Sequence, residues 1–118
     1  MSQAQRSAAV HLSDALARLP GPAGEHAVSM LQHGSLHVKL SVPRVPAPGI
    51  RQTPHEQDEV YIIIKGRGVL SHDGKRDEFE PGDLLFVAAG TEHQFEDYTD
   101  DLTVWVVFYG PRGGDLPA

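Results

Sequence analysis

Two imidazoles and one carboxylate dominate the chemistry that this 118-residue chain offers. His55 opens the segment His55-Glu56-Gln57-Asp58-Glu59, which runs into the apolar stretch Val60-Tyr61-Ile62-Ile63-Ile64 and then Gly66. His93 ends the fragment Gly90-Thr91-Glu92-His93, some thirty residues downstream. Two histidines and a carboxylate can hold one divalent ion and leave positions open for water or substrate. The set suits non-haem Fe(II), and the same donors accept Zn, Mn or Ni. One divalent metal ion of unspecified identity is therefore the expected cofactor. Each neutral imidazole would need its other N–H held by an acceptor, and Glu92, Asp97 or a backbone carbonyl could serve.

The remaining chemistries are poorly supported. The chain has no cysteine, which excludes disulfides, thiolate nucleophiles and zinc–sulfur sites. His55 to Glu59 lacks the second histidine of a HExxH metalloprotease, and Gly66-Arg67-Gly68 lacks the third glycine of a dinucleotide loop. Ser71-His72-Asp73 is contiguous on a strand end, so its side chains diverge and cannot form a triad.

For His55 and Glu59 to share an ion, the backbone between them must bend. A straight strand would separate their Cα atoms by roughly 13 Å at ~3.3 Å per residue. Two donors, each about 2.1 Å from an ion, must lie within about 3–4 Å of each other. Glu56-Gln57-Asp58 is polar and follows Pro54, which fits a bend ahead of the β-branched run.

The elements around these residues read as short strands. Leu12, Ala15, Leu16 and Leu19 form one helical apolar stripe stopped by Pro20, and Pro20 to Gly24 makes a rigid connector. Ala27 to Gln32 reads as a strand, followed by a turn at His33-Gly34-Ser35. Leu36, Val38, Leu40 and Val42 alternate with His37, Lys39 and Ser41, the pattern of a strand with one buried face. Val60 to Ile64 is expected to be buried on both faces. Asp73-Gly74 is a two-residue hairpin signal, and Pro81-Gly82-Asp83 is a tight turn. Leu84 to Val87, His93 to Glu96 and Leu102 to Tyr109 complete the set, a spacing that predicts an all-β barrel or jelly roll with one short N-terminal helix. The expected organisation is an N-terminal segment over 1–24, a β-barrel domain over 25–112 and a tail over 113–118.

Strand parity places Tyr61 with Glu59 and Phe95 with His93, so both rings are candidates for substrate contact as well as for core packing. Trp105 is a third candidate, as core or cavity wall. His37 could face the cavity from its alternating strand. A net charge of −6 without a basic cluster argues against nucleic acid. No apolar run of 18 residues and no signal-peptide pattern is present, so a cytoplasmic protein without a membrane role is expected.

Gly49 to Gly68 and Gly82 to Asp97 resemble the two motifs of the cupin superfamily. The first motif ends in Glu, six residues and Gly, as Glu59 and Gly66 do here. The second is reproduced in spacing by Gly82, Ala88-Ala89-Gly90, His93 and Asp97, with Ala for Pro and Asp for Asn. The His-x-His pair of the first motif is replaced by Gln52-Thr53-Pro54-His55, a version found in small single-domain cupins. The resemblance implies a cupin-type barrel in which His55, Glu59 and His93 bind the metal, Gln52 is a fourth ligand and Thr53 lines the site. It also implies a small-molecule ligand in the barrel and a homodimer, with strands or the N-terminal segment exchanged to cover open sheet edges. Two functions stand open, beside a weaker third in which the domain is a storage or scaffold dimer with no ligand. One is a metal-dependent oxygenase-like or isomerase-like enzyme; the other is a non-catalytic sugar- or metabolite-binding cupin with a structural or degenerate metal site.

Overall fold

The computed structural model describes residues 6–43 and 55–116. One helix, α1 (Leu12–Ala17), precedes eight strands: β1 (Ala27–His33), β2 (Leu36–Ser41), β3 (Asp58–Lys65), β4 (Gly68–His72), β5 (Lys75–Phe79), β6 (Leu84–Val87), β7 (His93–Glu96) and β8 (Thr103–Tyr109). They form two antiparallel sheets, a five-stranded one in the order β1-β2-β8-β3-β6 and a three-stranded one in the order β5-β4-β7. The fold is an all-β jelly roll with one short helix, and β5 and β6 are left as facing edges rather than closed into a continuous barrel.

Turn chemistry fixes the strand ends. Asp73 and Gly74 both take positive φ, 48° and 75°, as a tight hairpin between β4 and β5 requires. Gly66 sits at φ 95°, and a Cβ there would lie 2.7 Å from the Leu102 Cα, so the backbone crossing at the end of β3 tolerates no side chain.

Register decides which residues face the core. Glu59 pairs with Phe108, Tyr61 with Val106 and Ile63 with Val104, all on one face of the large sheet. That face packs on the small sheet, and the shared core contains Tyr61, Ile63, Leu70, Phe79, Val87, Phe95, Leu102, Val104 and Val106. Val60, Ile62 and Ile64 point the other way and are only half-buried, so the run is buried on one face and not on both. Among the described residues, no second sheet lies against the opposite face of this sheet to complete the burial. β2 is likewise split. His37 pairs with Phe108 and Lys39 with Val106, so its polar residues share the face of Glu59, while Val38 and Leu40 pair with Val107 and Trp105 on the far side.

Candidate metal centre

Glu59 is the second residue of β3 and points into the space between the sheets, 2% exposed. His93 begins β7 on the opposing sheet and is 5% exposed. His55 precedes β3, and two bend residues, Glu56 and Gln57, turn the chain between it and Asp58. The bend brings His55 and Glu59 to a common point facing His93. Each of the three residues offers a ligand atom, and these atoms lie within 4.8 Å of one another.

The pairwise distances show how well an ion fits. His93 Nε2 is 3.2 Å from Glu59 Oε1, already the separation of two donors on one ion. His55 Nε2 is 4.0 Å from Glu59 Oε2, and the His55 side chain is 41% exposed, with freedom to close the last few tenths of an ångström. The His93 tautomer is set by its other nitrogen. Nδ1 lies 2.9 Å from the Thr91 carbonyl, which can only accept, so Nδ1 carries a proton and, in the neutral ring, Nε2 presents its lone pair to the site. The acceptor is thus a backbone carbonyl rather than Glu92 or Asp97. The ring centroids of His55 and His93 are 5.8 Å apart.

Two polar atoms show the stress of this arrangement. Glu59 Oε1 is fully buried and has no hydrogen-bond partner among the described residues; the contact with His93 is close but off the hydrogen-bonding axis. A buried carboxylate oxygen left this way is costly unless a cation meets it. At His93, burial is the largest influence and opposes charge, yet the contact with Glu59, the Thr91 carbonyl and the Glu59 charge together carry its pKa upward. Each of these environments favours positive charge at the point where the donors converge. On that observation, the residues present fit a divalent ion.

Tyr61 sits 2% exposed beneath this point, with its OH 2.9 Å from His93 Nε2. Burial, then the Glu59 charge and a hydrogen bond to it, push its pKa far up, so the phenol stays protonated and can donate. Phe95 packs edge-on against Tyr61 at 4.9 Å and against Phe79 at 5.6 Å, in the core below the site. Trp105 pairs with Ile62 and Leu40 on the outer face of the large sheet, opposite Glu59, and is not a wall of the site. β8 starts one residue later than the sequence suggested, at Thr103, and the register against β3 sends Phe108 inward instead. Gln52 and Thr53 lie outside the described residues.

Sequence reasoning did not anticipate Phe108, Glu56 and Arg112. Phe108 meets the His55 ring edge-on at 4.8 Å, and a cavity of about 540 Å³ opens beside it, lined by His55, Glu56, Gln57, Phe108 and Arg112. Arg112 Nη2 stands 2.7 Å from both carboxylate oxygens of Glu56. The bond to Arg112, followed by its charge, holds the Glu56 carboxyl below the usual range. The pairing of Glu59 with Phe108 is a long-range register, and the return of the 110–115 loop is a tertiary event, so local pattern carried no signal for either.

The segment carrying His55 and Glu59 is fastened from two sides. Gly90 N–H donates to the His55 carbonyl at 2.8 Å. Asp58, 5% exposed, accepts from Ala89 N–H through Oδ1 and from Asp115 N–H through Oδ2, each at 2.9 Å. Gln57 donates its amide to the carbonyls of Ser35 and Gly110.

Comparison with known proteins bears on the family and the fold. The sequence model of the family described as Cupin domain matches residues 45–109, more than half of the chain. An uncharacterised protein of Streptomyces coelicolor is 38% identical over 61 residues, covering 52% of this chain and 58% of that protein. An acireductone dioxygenase of Bacillus cereus is 32% identical over 68 residues, covering 53% of this chain and 40% of the enzyme. The chain therefore spans about half the length of the curated relatives it matches. Among solved structures, KdgF from a Halomonas species superposes with a TM-score of 0.62 at 17% identity, covering 73% of this chain and 78% of KdgF; this likeness is one of fold.

Proposed function

Because this chain belongs to the Cupin domain family, we propose that it binds one divalent metal ion through His55, Glu59 and His93 and acts on a small organic molecule as an oxygenase-like or isomerase-like enzyme. The observation that carries the reading is the buried Glu59 Oε1, without a hydrogen-bond partner among the described residues, in a group with two imidazoles. Bound there, an ion would supply Lewis acidity and a template for substrate. The remaining work belongs to the chain. Thr91 holds the His93 ring in the ligating tautomer. Tyr61 keeps a protonated hydroxyl against His93 Nε2, beside the donors. Phe108 gives the entrance an apolar wall against His55. Gln52 as fourth ligand and Thr53 as a lining residue remain part of the proposal. The acireductone dioxygenase likeness supports the oxygenase class among the alternatives.

A second reading, a non-catalytic sugar- or metabolite-binding protein with a degenerate or structural metal site, is favoured by one feature: His55 stands at 4.0 Å with an exposed side chain and is the loosest of the three donors. Ligand-dependent thermal shifts that survive chelation select this reading, and shifts abolished by chelator select the enzyme.

Elemental analysis after chelator-free purification tests the common premise. About one ion per chain is expected, and His93→Ala should lose it while keeping the strand content of the wild type. Full occupancy in the variant refutes the assignment.

We also propose that two copies pair through the outer face of the five-stranded sheet. Two registered apolar rows cross it, Leu84-Ile62-Trp105-Leu40-Val28 and Phe86-Val60-Val107-Val38-Leu31. The rows contain no charged side chain, so a twofold pairing of this face with itself meets no charge repulsion within them.

A further inference from the structure

We propose that Arg112 is the anion-recognising residue of the cavity beside the metal centre, that its ligand is a small organic carboxylate, and that Glu56 occupies the ligand's seat in the free protein. The inference deepens the functional reading above and rests on it for the position of the ion.

The first support is placement. The cavity of about 540 Å³ is lined by His55 and Phe108 together with Arg112 and Glu56. That volume lies within the roughly 300–1,000 Å³ typical of small-molecule sites. A molecule entering it meets the metal-ligating imidazole and the guanidinium in the same space.

The second is the chemistry of the contact already there. Arg112 is satisfied by a carboxylate, with Nη2 2.7 Å from both oxygens of Glu56. The planar guanidinium fork matches a carboxylate better than it matches a neutral oxygen. Glu56 therefore shows which functional group fits the seat. The pair is also easily exchanged, because the Arg112 and Glu56 side chains are 80% and 66% exposed and an ion pair in water stabilises little. A ligand carboxylate that also reaches the ion has a second attachment that Glu56 lacks.

The third is support for the guanidinium. Arg112 sits on a loop tied to the ligand-bearing segment at several points. Gly113 N–H donates to the Glu56 carbonyl at 2.7 Å, Asp115 N–H donates to Asp58, and Gly110 accepts from the Gln57 amide. The base of the side chain is fixed at the rim, so only its tip needs to turn from Glu56 to a ligand. Charge favours the exchange as well. A divalent ion with the single Glu59 carboxylate leaves the centre net positive, and Arg112 adds to it, so an anion is attracted and Glu56 is its internal competitor.

The test uses cobalt-loaded protein and calorimetric titration with acetate, malonate and succinate, and with succinamide as the neutral counterpart of the last. Cobalt occupancy is measured first in every variant. Loss of the ion in wild type is failure of the metal assignment, whereas unchanged anion affinity at full occupancy is failure of this inference. Glu56→Gln frees the guanidinium and is expected to tighten carboxylate binding roughly three- to tenfold. Arg112→Gln is expected to weaken it by at least a similar factor, with Arg112→Lys intermediate because it keeps the charge but not the fork. Succinamide binding should be indifferent to all three. The inference is overturned if Arg112→Gln leaves carboxylate affinity unchanged, if Glu56→Gln weakens it, or if none of the three anions binds saturably to either wild type or Glu56→Gln.

Discussion

Among the described residues, Glu59 brings into the interior a carboxylate oxygen with no hydrogen-bond partner, whereas the neighbouring buried acid, Asp58, has both oxygens satisfied. A site kept ready for a cation is destabilising without it. Glu59→Gln should therefore stabilise the metal-free protein, by about 1–3 kcal/mol if the amide relieves the unpaired oxygen, while abolishing metal uptake. Chemical denaturation of both proteins in chelator checks the first half, and a cobalt titration checks the second. A variant less stable than wild type in chelator contradicts the account. A separate residue-level effect concerns His37, whose pKa is lowered, first by burial and then by Lys39, while its Nε2 contacts Ser29 Oγ at 2.7 Å. The unfolded chain takes up that proton near pH 6.5, before the folded one does. The His37 contribution to stability should fall as pH drops through about 6.5. His37→Gln should show a shallower fall between pH 7.5 and 5.5 in urea titrations. Much at this scale was legible in sequence. The spacing of Glu59 and Gly66, and of Gly90 and His93, singled out the three donors, because liganding residues sit at fixed distances from the turns that aim them. Phe108, Arg112 and Glu56 escaped, since their place depends on contacts between residues some fifty positions apart.

At the scale of elements, the loop over 88–91 organises the centre. Ala89 N–H bonds Asp58, Gly90 N–H bonds the His55 carbonyl, and the Thr91 carbonyl receives the His93 proton, so one short stretch touches the supports of all three donors. Asp58 is the meeting point with the 110–115 loop, and Gly114 must lack a side chain there because a Cβ would come within 2.9 Å of Asp58 Oδ1. Asp58→Asn turns one acceptor into a donor that faces another N–H. It should lower cobalt affinity by about tenfold or more, as loss of a residue that orients metal ligands does. Its strand content should remain, and an affinity equal to wild type would remove Asp58 from this role. The hairpin at Asp73-Gly74 and the alternation of β2 were readable from sequence. The direction of that alternation was not. Leu36, Val38, Leu40 and Val42 suggest one buried face, but only pairing with β8 reveals that His37 and Lys39 share the face of Glu59. The same pairing turns Trp105 away from the site.

For the whole molecule, the outer face of the large sheet is the unfinished surface. Its apolar rows span five strands, about 19 Å from first to last, whereas α1 is six residues long and extends only about 9 Å. Leu84 and Phe86, at the β6 edge of both rows, are 62% and 51% exposed. Leu40, in the middle of one row, is already fully buried, so a second copy laid on this face would chiefly cover the exposed β6 end, Leu84 and Phe86, and the half-buried residues beside them. Sedimentation analysis should find a dimer, and Phe86→Glu should give a folded monomer that still takes up metal. A monomeric wild type at micromolar concentration would refute the pairing. Among the described residues, no helix is long and apolar enough to cross a membrane.

Among the described residues the two sheets share a core but no ladder of hydrogen bonds, and the candidate metal donors are divided between them, Glu59 on β3 and His93 on β7. An ion seated there would act as a rivet through both leaves of the sandwich. Loading it would then slow the prying apart of the leaves, so the atom proposed to serve the chemistry would also set how long the molecule survives in the face of proteases and heat.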